Sequence, residues 1–432
     1  MWHRNRGGAE RGLTMRALLA FTGSRGDAQP GILLARELLA RGHTVTLALS
    51  PDLVEFAATH GIPAIGFGRD SAELLYTQHS DRRFRSPDPR QRVRAVLALQ
   101  RRGVACALRE LDVLAPGHDV LVTGMAGEET AERVARRAGL PLAAMHFFPI
   151  HPNRSVPVIP TAWGARIPGA LNCRIWSALR WARDAALALP FAEFGAMENP
   201  LRERVSIQAY DIDLFPGLAA ELPDRHPIVG FAVDVDGCLG GPVDAELDAW
   251  LDAGPAPVYV GFGSMTVGDP AALMAVLRAV CAHRGQRLLL AAGWAGIEPV
   301  LTPEVAIAEQ LDHATVFPRC VAAVHHGGAG TTAAALRAGV PQVICAIQAD
   351  QPYWGRALAR LGLAGAMRAA ELSERRLTAL LDLVAAPDVA SRVADYASRF
   401  SGDGVSRAAD EVESLVRLPF PTATLDHVGR LG

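Results

Sequence analysis

The stretch VHHGGAGTTAAALRAGVPQVICAIQADQPYW, residues 324–354, decides how the chain is read. Val321 to Val324 is a short apolar strand that ends at His325 and His326. Gly327, Gly328 and Gly330 then permit a tight turn that residues with a Cβ resist. Thr331 to Arg337 continues as helix, and Gly339 and Pro341 stop it. A glycine turn that feeds a helix N-terminus offers free backbone N–H groups and the positive end of a helix dipole. Residues Gly328, Ala329, Gly330 and Thr331 are therefore a candidate anion cradle. Gln342 to Ala346 reads as the next strand and delivers Asp350 and Gln351 to the following helix. A phosphate cradle followed by a carboxylate beside an amide suits a ligand with phosphate at one end and hydroxyls at the other.

Upstream, Met15 to Phe21 is an apolar strand that runs into a polar loop, residues 22–31. A helix from about Ile32 to Arg41 and a strand at Val45 to Leu49 follow. This is a βαβ unit. Its glycines, at 23, 26 and 31, do not form the dinucleotide fingerprint. Asp27 is the only carboxylate in the loop, and both a helix cap and a catalytic role fit it. Asp119 to Thr123 and Leu142 to Phe148 read as further strands, and Asp211 to Phe215 and Ile228 to Val229 as the last of this half. Between them, residues 149–200 lose the strand–helix rhythm and gather Trp163, Trp176, Trp181, Phe191 and Phe194. That segment is either core or a hydrophobic acceptor pocket. Residues 233–242 read as a linker. Pro257 to Phe262 then starts a second αβ series, which ends in helices from about Ser373 to Ala385, Val389 to Arg399 and Val405 to Arg417.

At 432 residues with half of them apolar, the chain holds two ordinary domains. Net charge is −2, so no general attraction to nucleic acid follows. All 43 basic residues are arginine, which excludes Walker A, Schiff-base and kinase-type lysine chemistry. The six cysteines form no close pairs, which fits a reducing cytoplasm and indicates neither zinc nor disulfides. No apolar run is long enough to span a bilayer. Met1 to Thr14 lacks an apolar h-region and reads as a disordered extension, or as a start placed upstream of a natural one at Met15. Residues 81–102 carry eight arginines interleaved with apolar positions. They read as a solvated helix face, with an anionic membrane surface or lipid acceptor as the alternative contact.

The adjacent histidines point to opposite faces of a strand and do not chelate one metal. One packs inward, and the other faces the cradle and can donate to a phosphate. The triplets at Asp211 to Asp213 and Asp234 to Asp236 lie away from the cradle, and neither reads as a metal site.

The segments HHGGAGTTAAALRAGVPQ and DQPYW, with FTGSRGDAQP near the start and GFGSM at 261–265, resemble family 1 nucleotide-sugar glycosyltransferases of the GT-B fold. They are most similar to the actinobacterial group acting on glycopeptides, macrolides, sterols and mycobacterial glycolipids, and the likeness runs from Met15 to about Leu418. The resemblance implies two Rossmann-like αβα domains facing each other across a cleft. Residues 15–232 would bind the acceptor, 233–246 would link, and 247–405 would bind the donor. A helix at 406–418 would pack back on the N-terminal domain, and 419–432 would be a tail. It also implies that His326, Gly328, Ala329, Gly330, Thr331 and Ser264 hold the donor diphosphate, Asp350 and Gln351 the donor sugar, and His313 the nucleobase. Asp27 would be the general base. Many relatives use a histidine there, oriented by an aspartate near 123–125, but this chain has Thr123, Gly124 and Met125. The carboxylate would then act alone, with Glu128 and Glu129 as alternatives.

The implied reaction is inverting transfer of a hexose or deoxyhexose from a UDP- or dTDP-sugar to a hydroxyl of a hydrophobic small molecule or lipid, without metal or cofactor. The implied setting is the cytoplasm, with peripheral contact at the inner membrane face. An epimerase or hydrolase on the same plan, or a non-catalytic nucleotide-binding helper, is the alternative.

Overall fold

The computed structural model describes residues 14–70, 73, 77, 81–86, 88–195, 199–240, 244–263, 269–293, 297–309 and 311–417. Strands β1 (Arg16–Phe21), β2 (Thr44–Leu49), β3 (Ala64–Gly66), β4 (Val120–Gly124), β5 (Leu142–His146) and β6 (Arg204–Gln208) form the first sheet. It is all parallel, in the order β3-β2-β1-β4-β5-β6. The second sheet contains β7 (Val258–Gly261), β8 (Leu288–Ala291), β9 (Val300–Leu301), β10 (Val305–Ala308), β11 (Ala322–His325), β12 (Gln342–Ala346) and β13 (Ala364–Arg368). Its order is β13-β12-β11-β7-β8-β10-β9, and only β9 is antiparallel. Helices cover the faces, which is why the central strands read as continuous apolar runs.

Both sheets reverse strand order at one point. In the first sheet β1 lies beside β4, and in the second β7 lies beside β11. Loops leaving neighbouring strands there diverge to opposite faces and open a crevice at the carboxyl ends. Those loops carry Thr22 to Ser24 and Met125 to Gly127 in the first half, leading into helices that start at Arg25 and Glu128, and Phe262 to Gly263 and His326 to Gly328 in the second.

Several sequence expectations are corrected. The first helix spans Arg25–Ala40, so residues 25–31 are helical rather than loop. Pro30 sits inside that helix, and Gly31 follows because a Cβ there would come within 2.4 Å of the Phe21 ring. The glycine serves close packing, not helix breaking. The last strand of the first half is β6, whereas 212–214 is one 3-10 turn and Ile228 makes only a bridge to Gln208. The edge strand β13 carries small residues, AGAMR, without the β-branched signature that marks a strand. Residues 149–200 break the strand–helix rhythm as expected: 149–168 is loop with one 3-10 turn, and helices Gly169–Ala186 and Ala188–Phe194 follow.

Aromatic side chains join the halves beneath the cleft. Trp354 is fully buried and lies 5.4 Å from Phe215, 5.7 Å from Phe231 and 6.4 Å from Phe148, ring centre to ring centre. Tyr353 packs on Phe148 at 4.6 Å and donates its hydroxyl to the Val158 carbonyl at 2.5 Å. The last described helix, Gly404–Arg417, lies on Arg25–Ala40 of the first half. Arg41 there donates to Asp410 and Glu413 at 2.6 and 3.2 Å and to the Ser406 carbonyl at 2.8 Å.

Candidate active site

Asp27 is the third residue of the Arg25–Ala40 helix, and Ser24 is its cap. The Ser24 backbone N–H and hydroxyl both donate to Asp27 Oδ2 at 2.9 Å. Asp27 thus closes a capping box, which satisfies a backbone donor of the first turn. It is not the cap residue itself. Oδ1 has no hydrogen-bond partner among the described residues. Burial holds the carboxyl above its ordinary pKa, and the two Ser24 bonds offset only part of that shift.

Beside it, Thr123 Oγ1 donates to the Ala20 carbonyl at 2.8 Å and so ties β4 to β1. The two alternative carboxylates are occupied. Glu128 pairs with Arg204 and lies 3.0 Å from His146 Nε2, within a buried network that continues through Gln208 to Tyr210. Glu129 pairs with Arg183 at 2.8 Å.

In the second half the two histidines divide as the alternation of a strand requires. His325 is fully buried. Its Nδ1 accepts the Gly327 N–H at 3.0 Å and its Nε2 lies 2.8 Å from Gln342 Oε1, which fixes the tautomer with the proton on Nε2. Burial pushes its pKa down to about 3. His326 is half-buried in the turn. Its Nδ1 makes no hydrogen bond of normal geometry. The Gly261 carbonyl favours a proton on that ring, but burial outweighs it and lowers the pKa to about 4. Nε2 lies over Gly328, where a Cβ would approach it to 2.6 Å.

Gly328 is the cap of the Ala329–Arg337 helix, so the N–H groups of Ala329, Gly330 and Thr331 are the unpaired donors of its first turn. Gly327 has φ +89°, and a Cβ there would meet Ile344 Cγ2 at 2.6 Å. Gly327→Ala is expected to cost about 2–4 kcal/mol by combining left-handed strain with overpacking, read as a lower urea midpoint at unchanged m-value.

Asp350 and Gln351 begin the next helix, Gln351–Arg360. Asp350 Oδ2 accepts the Trp354 indole N–H at 2.9 Å. Burial raises its pKa to about 6, and the charge of Asp27 adds to the rise. Gln351 is buried, and its Oε1 accepts the N–H groups of Ile347 and Gln348 at 2.8 and 3.0 Å, which braces the loop that carries Asp350.

His313 opens a short helix capped by Asp312. Its Nε2 lies 2.9 Å from the Tyr259 hydroxyl and its ring stacks on Phe317 at 4.6 Å. Arg25, two residues before Asp27, is near enough to Tyr259 and Asp312 for their charges to act on it. Ser264 lies outside the described residues.

Among the described residues no three His, Cys, Asp or Glu side chains group as metal ligands. Asp211 accepts the Tyr396 hydroxyl and caps Asp213 N, while Asp234 accepts the backbone N–H groups of Cys238 and Leu239. Sequence reasoning left Tyr353, Trp354 and Arg25 without roles. All three stand inside the quoted motifs, but Tyr353 and Trp354 also pack on Phe148, Phe215 and Phe231 of the first half, which only the fold brings near.

Residues 288–410 match the family model of the C-terminal domain of erythromycin biosynthesis protein CIII-like proteins. The chain is 36% identical to an uncharacterized glycosyltransferase of Mycobacterium tuberculosis over 93% of this chain and 99% of that protein. It is 31% identical to the vancomycin aglycone glucosyltransferase of Amycolatopsis orientalis, over 95% and 100% of the two chains. The solved glycotransferase of kitacinnamycin superposes with a TM-score of 0.66 at 22% identity, over 94% and 100%. The glycosyltransferase VinC in complex with dTDP superposes with a TM-score of 0.62 at 20% identity, over 92% and 100%.

Proposed function

The chain belongs to the glycosyltransferases of the GT-B fold, and from that premise we propose that it is an inverting, metal-independent transferase. It moves a hexose or deoxyhexose from a nucleoside-diphosphate sugar to a hydroxyl of a hydrophobic acceptor. The observation that supports this best is that each sheet has a switch point at its carboxyl edge, with Asp27 in the first helical turn at one and the N-terminus of the Ala329–Arg337 helix at the other.

In this reading Asp27 accepts the proton of the acceptor hydroxyl as its oxygen bonds to the anomeric carbon. The bond from that carbon to the diphosphate oxygen breaks on the opposite face, so the configuration inverts. The charge that develops on the leaving diphosphate is met by the N–H groups of Ala329, Gly330 and Thr331, by the Thr331 hydroxyl, by His326 and by Ser264. Asp350 binds donor sugar hydroxyls, and Gln351 holds the loop and completes that edge. Tyr259 and Phe317 fix His313 beside the nucleobase. The acceptor lies on the first-half side, near Met125, Phe148 and Trp176. dTDP and UDP are the nucleotides to test first, because VinC is complexed with dTDP and the vancomycin relative is a glucosyltransferase.

The test is nucleotide release from a UDP- and dTDP-sugar panel in EDTA, with and without glycolipid, sterol or polyketide acceptors. Acceptor-dependent release, with the product anomer inverted by NMR, is expected. Equal release without acceptor would mean a hydrolase, and none under any condition a binding protein.

Trp354→Phe probes the link between the halves. It removes the indole donor that lowers the Asp350 pKa and leaves room in a closed aromatic cluster. The expected result is about 1–3 kcal/mol of lost stability. The acid limb of donor KM should also move to higher pH, because the carboxylate is then less favoured. A stability loss with an unmoved limb would separate Asp350 from donor binding.

A further inference from the structure

Helix Gly169–Ala186 buries one face and leaves the other bare. Asn172 and Trp176, four residues apart, pack into the first half. On the opposite side Leu171, Arg174, Ala178, Trp181 and Ala185 recur every three or four residues, and all are exposed. Trp181 is 72% exposed and Leu171 49%. Just before the helix, Trp163 is 64% exposed. A monomer in water gains nothing from leaving these two tryptophans open.

Charge says what covers them. Residues 154–186 hold five arginines and one acidic residue, Asp184, in a chain of net charge −2. Arg166, Arg174 and Arg180 are exposed and make no ion pair among the described residues. The end of this helix also meets the second basic element, Pro89–Leu114, where Arg101 Nε donates to the Ala186 carbonyl at 2.9 Å. Arg90, Arg94 and Arg102 on that helix are exposed and likewise unpaired among the described residues.

We propose that Trp163, Leu171 and Trp181, framed by Arg166, Arg174 and Arg180, dock this half on an anionic bilayer surface. Leu171 to Trp181 covers about 15 Å of helix. An amphipathic helix of that kind lies in the interface plane, its tryptophans at headgroup level and its arginines on lipid phosphates. No helix among the described residues is long and apolar enough to cross a membrane, so the contact is peripheral. The inference does not rest on the acceptor proposed above, since docking is measured without donor or acceptor.

The test is co-sedimentation of the full chain with vesicles of phosphatidylglycerol and phosphatidylcholine, against phosphatidylcholine alone, with light scattering of the protein in parallel. Binding to the anionic vesicles is expected, with a blue shift of tryptophan emission and weakening at 0.5 M salt. Trp181→Ser should reduce binding about tenfold, and Arg174→Glu about fivefold or more. Neither should move Tm by more than a few degrees, because both side chains are mostly exposed. Failure to bind anionic vesicles, or equal binding by Trp181→Ser, would overturn the proposal. So would a stable dimer that Trp181→Ser dissociates, since the patch would then be covered by a second copy.

Discussion

Asp27→Asn is expected to lower kcat for transfer by about 10²–10⁴ while donor affinity stays within a few-fold. The amide keeps the size of the carboxylate and one acceptor for the Ser24 N–H, so the helix start survives. What it loses is the ability to take a proton. The pH profile carries the diagnostic sign. Burial raises the Asp27 pKa, so the wild-type kcat should fall as pH drops through a value above the ordinary carboxylate range. That limb should vanish in Asp27→Asn. Stability should move the other way. A carboxyl with a raised folded pKa costs stability increasingly as pH rises through that pKa, so the amide should melt higher at pH 8 than the wild type. Lost turnover with gained stability marks a charge kept for chemistry. Full transfer by Asp27→Asn would remove it as the base.

The neighbouring carboxylates do not offer a simple substitute. Glu128 is held by Arg204 and His146, and Glu129 by Arg183. Each would have to leave an ion pair before taking a proton; for Glu129 burial raises the pKa and Arg183 offsets only part of that rise. Thr123 spends its hydroxyl on the Ala20 carbonyl. The capping box takes over the orienting task, because Ser24 fixes Oδ2 and leaves Oδ1.

What sequence made legible follows from the range of the forces involved. The turn at 326–330 and the strand Gln342–Ala346 could be read because glycine geometry and apolar runs are local signals. The two-sheet GT-B plan followed from motifs that each sit at a strand end. The helix start at Arg25 was misplaced because Pro30 and Gly31 read as breakers, while the reason for Gly31 is the Phe21 ring 10 residues earlier. Strand β6 was missed because Arg204–Gln208 is half polar: Gln208 and Ser206 are buried, and Gln208 is satisfied by His146 and Tyr210. Trp354 and Tyr353 could not be assigned, since their meaning lies in Phe148, Phe215 and Val158 from the other half. Of the aromatics at 149–200, Trp176 and Phe191 are core while Trp163 and Trp181 are exposed, because aromatic content does not report which way a helix turns.

His326→Ala is expected to lower kcat about 10²–10³-fold and to weaken donor binding, with EDTA without effect on either protein. The physical case rests on the contrast with its neighbour. His325 has both ring nitrogens engaged, one on Gly327 N–H and one on Gln342. His325→Ala leaves a buried backbone donor and a buried amide unpaired, so it should cost about 2–5 kcal/mol of stability. His326 makes no such commitments. Its Nδ1 is unpartnered, and Gly328 exists as glycine partly because the ring stands against it. Truncating it removes little packing, so Tm should hold. A ring with a pKa near 4 is neutral in the free protein, and it would donate one N–H to the diphosphate as an uncharged group. An incoming diphosphate reverses that balance, since its charge favours the imidazolium as the leaving oxygen gains charge. Donor affinity should therefore rise as pH falls toward 6, and His326→Ala should abolish that rise. His326→Gln, which keeps a donor but cannot be protonated, should recover binding at pH 8 and stay flat with pH. If His326→Ala bound donor and turned over within twofold of the wild type, the diphosphate contact would belong to the helix N-terminus and Thr331 alone.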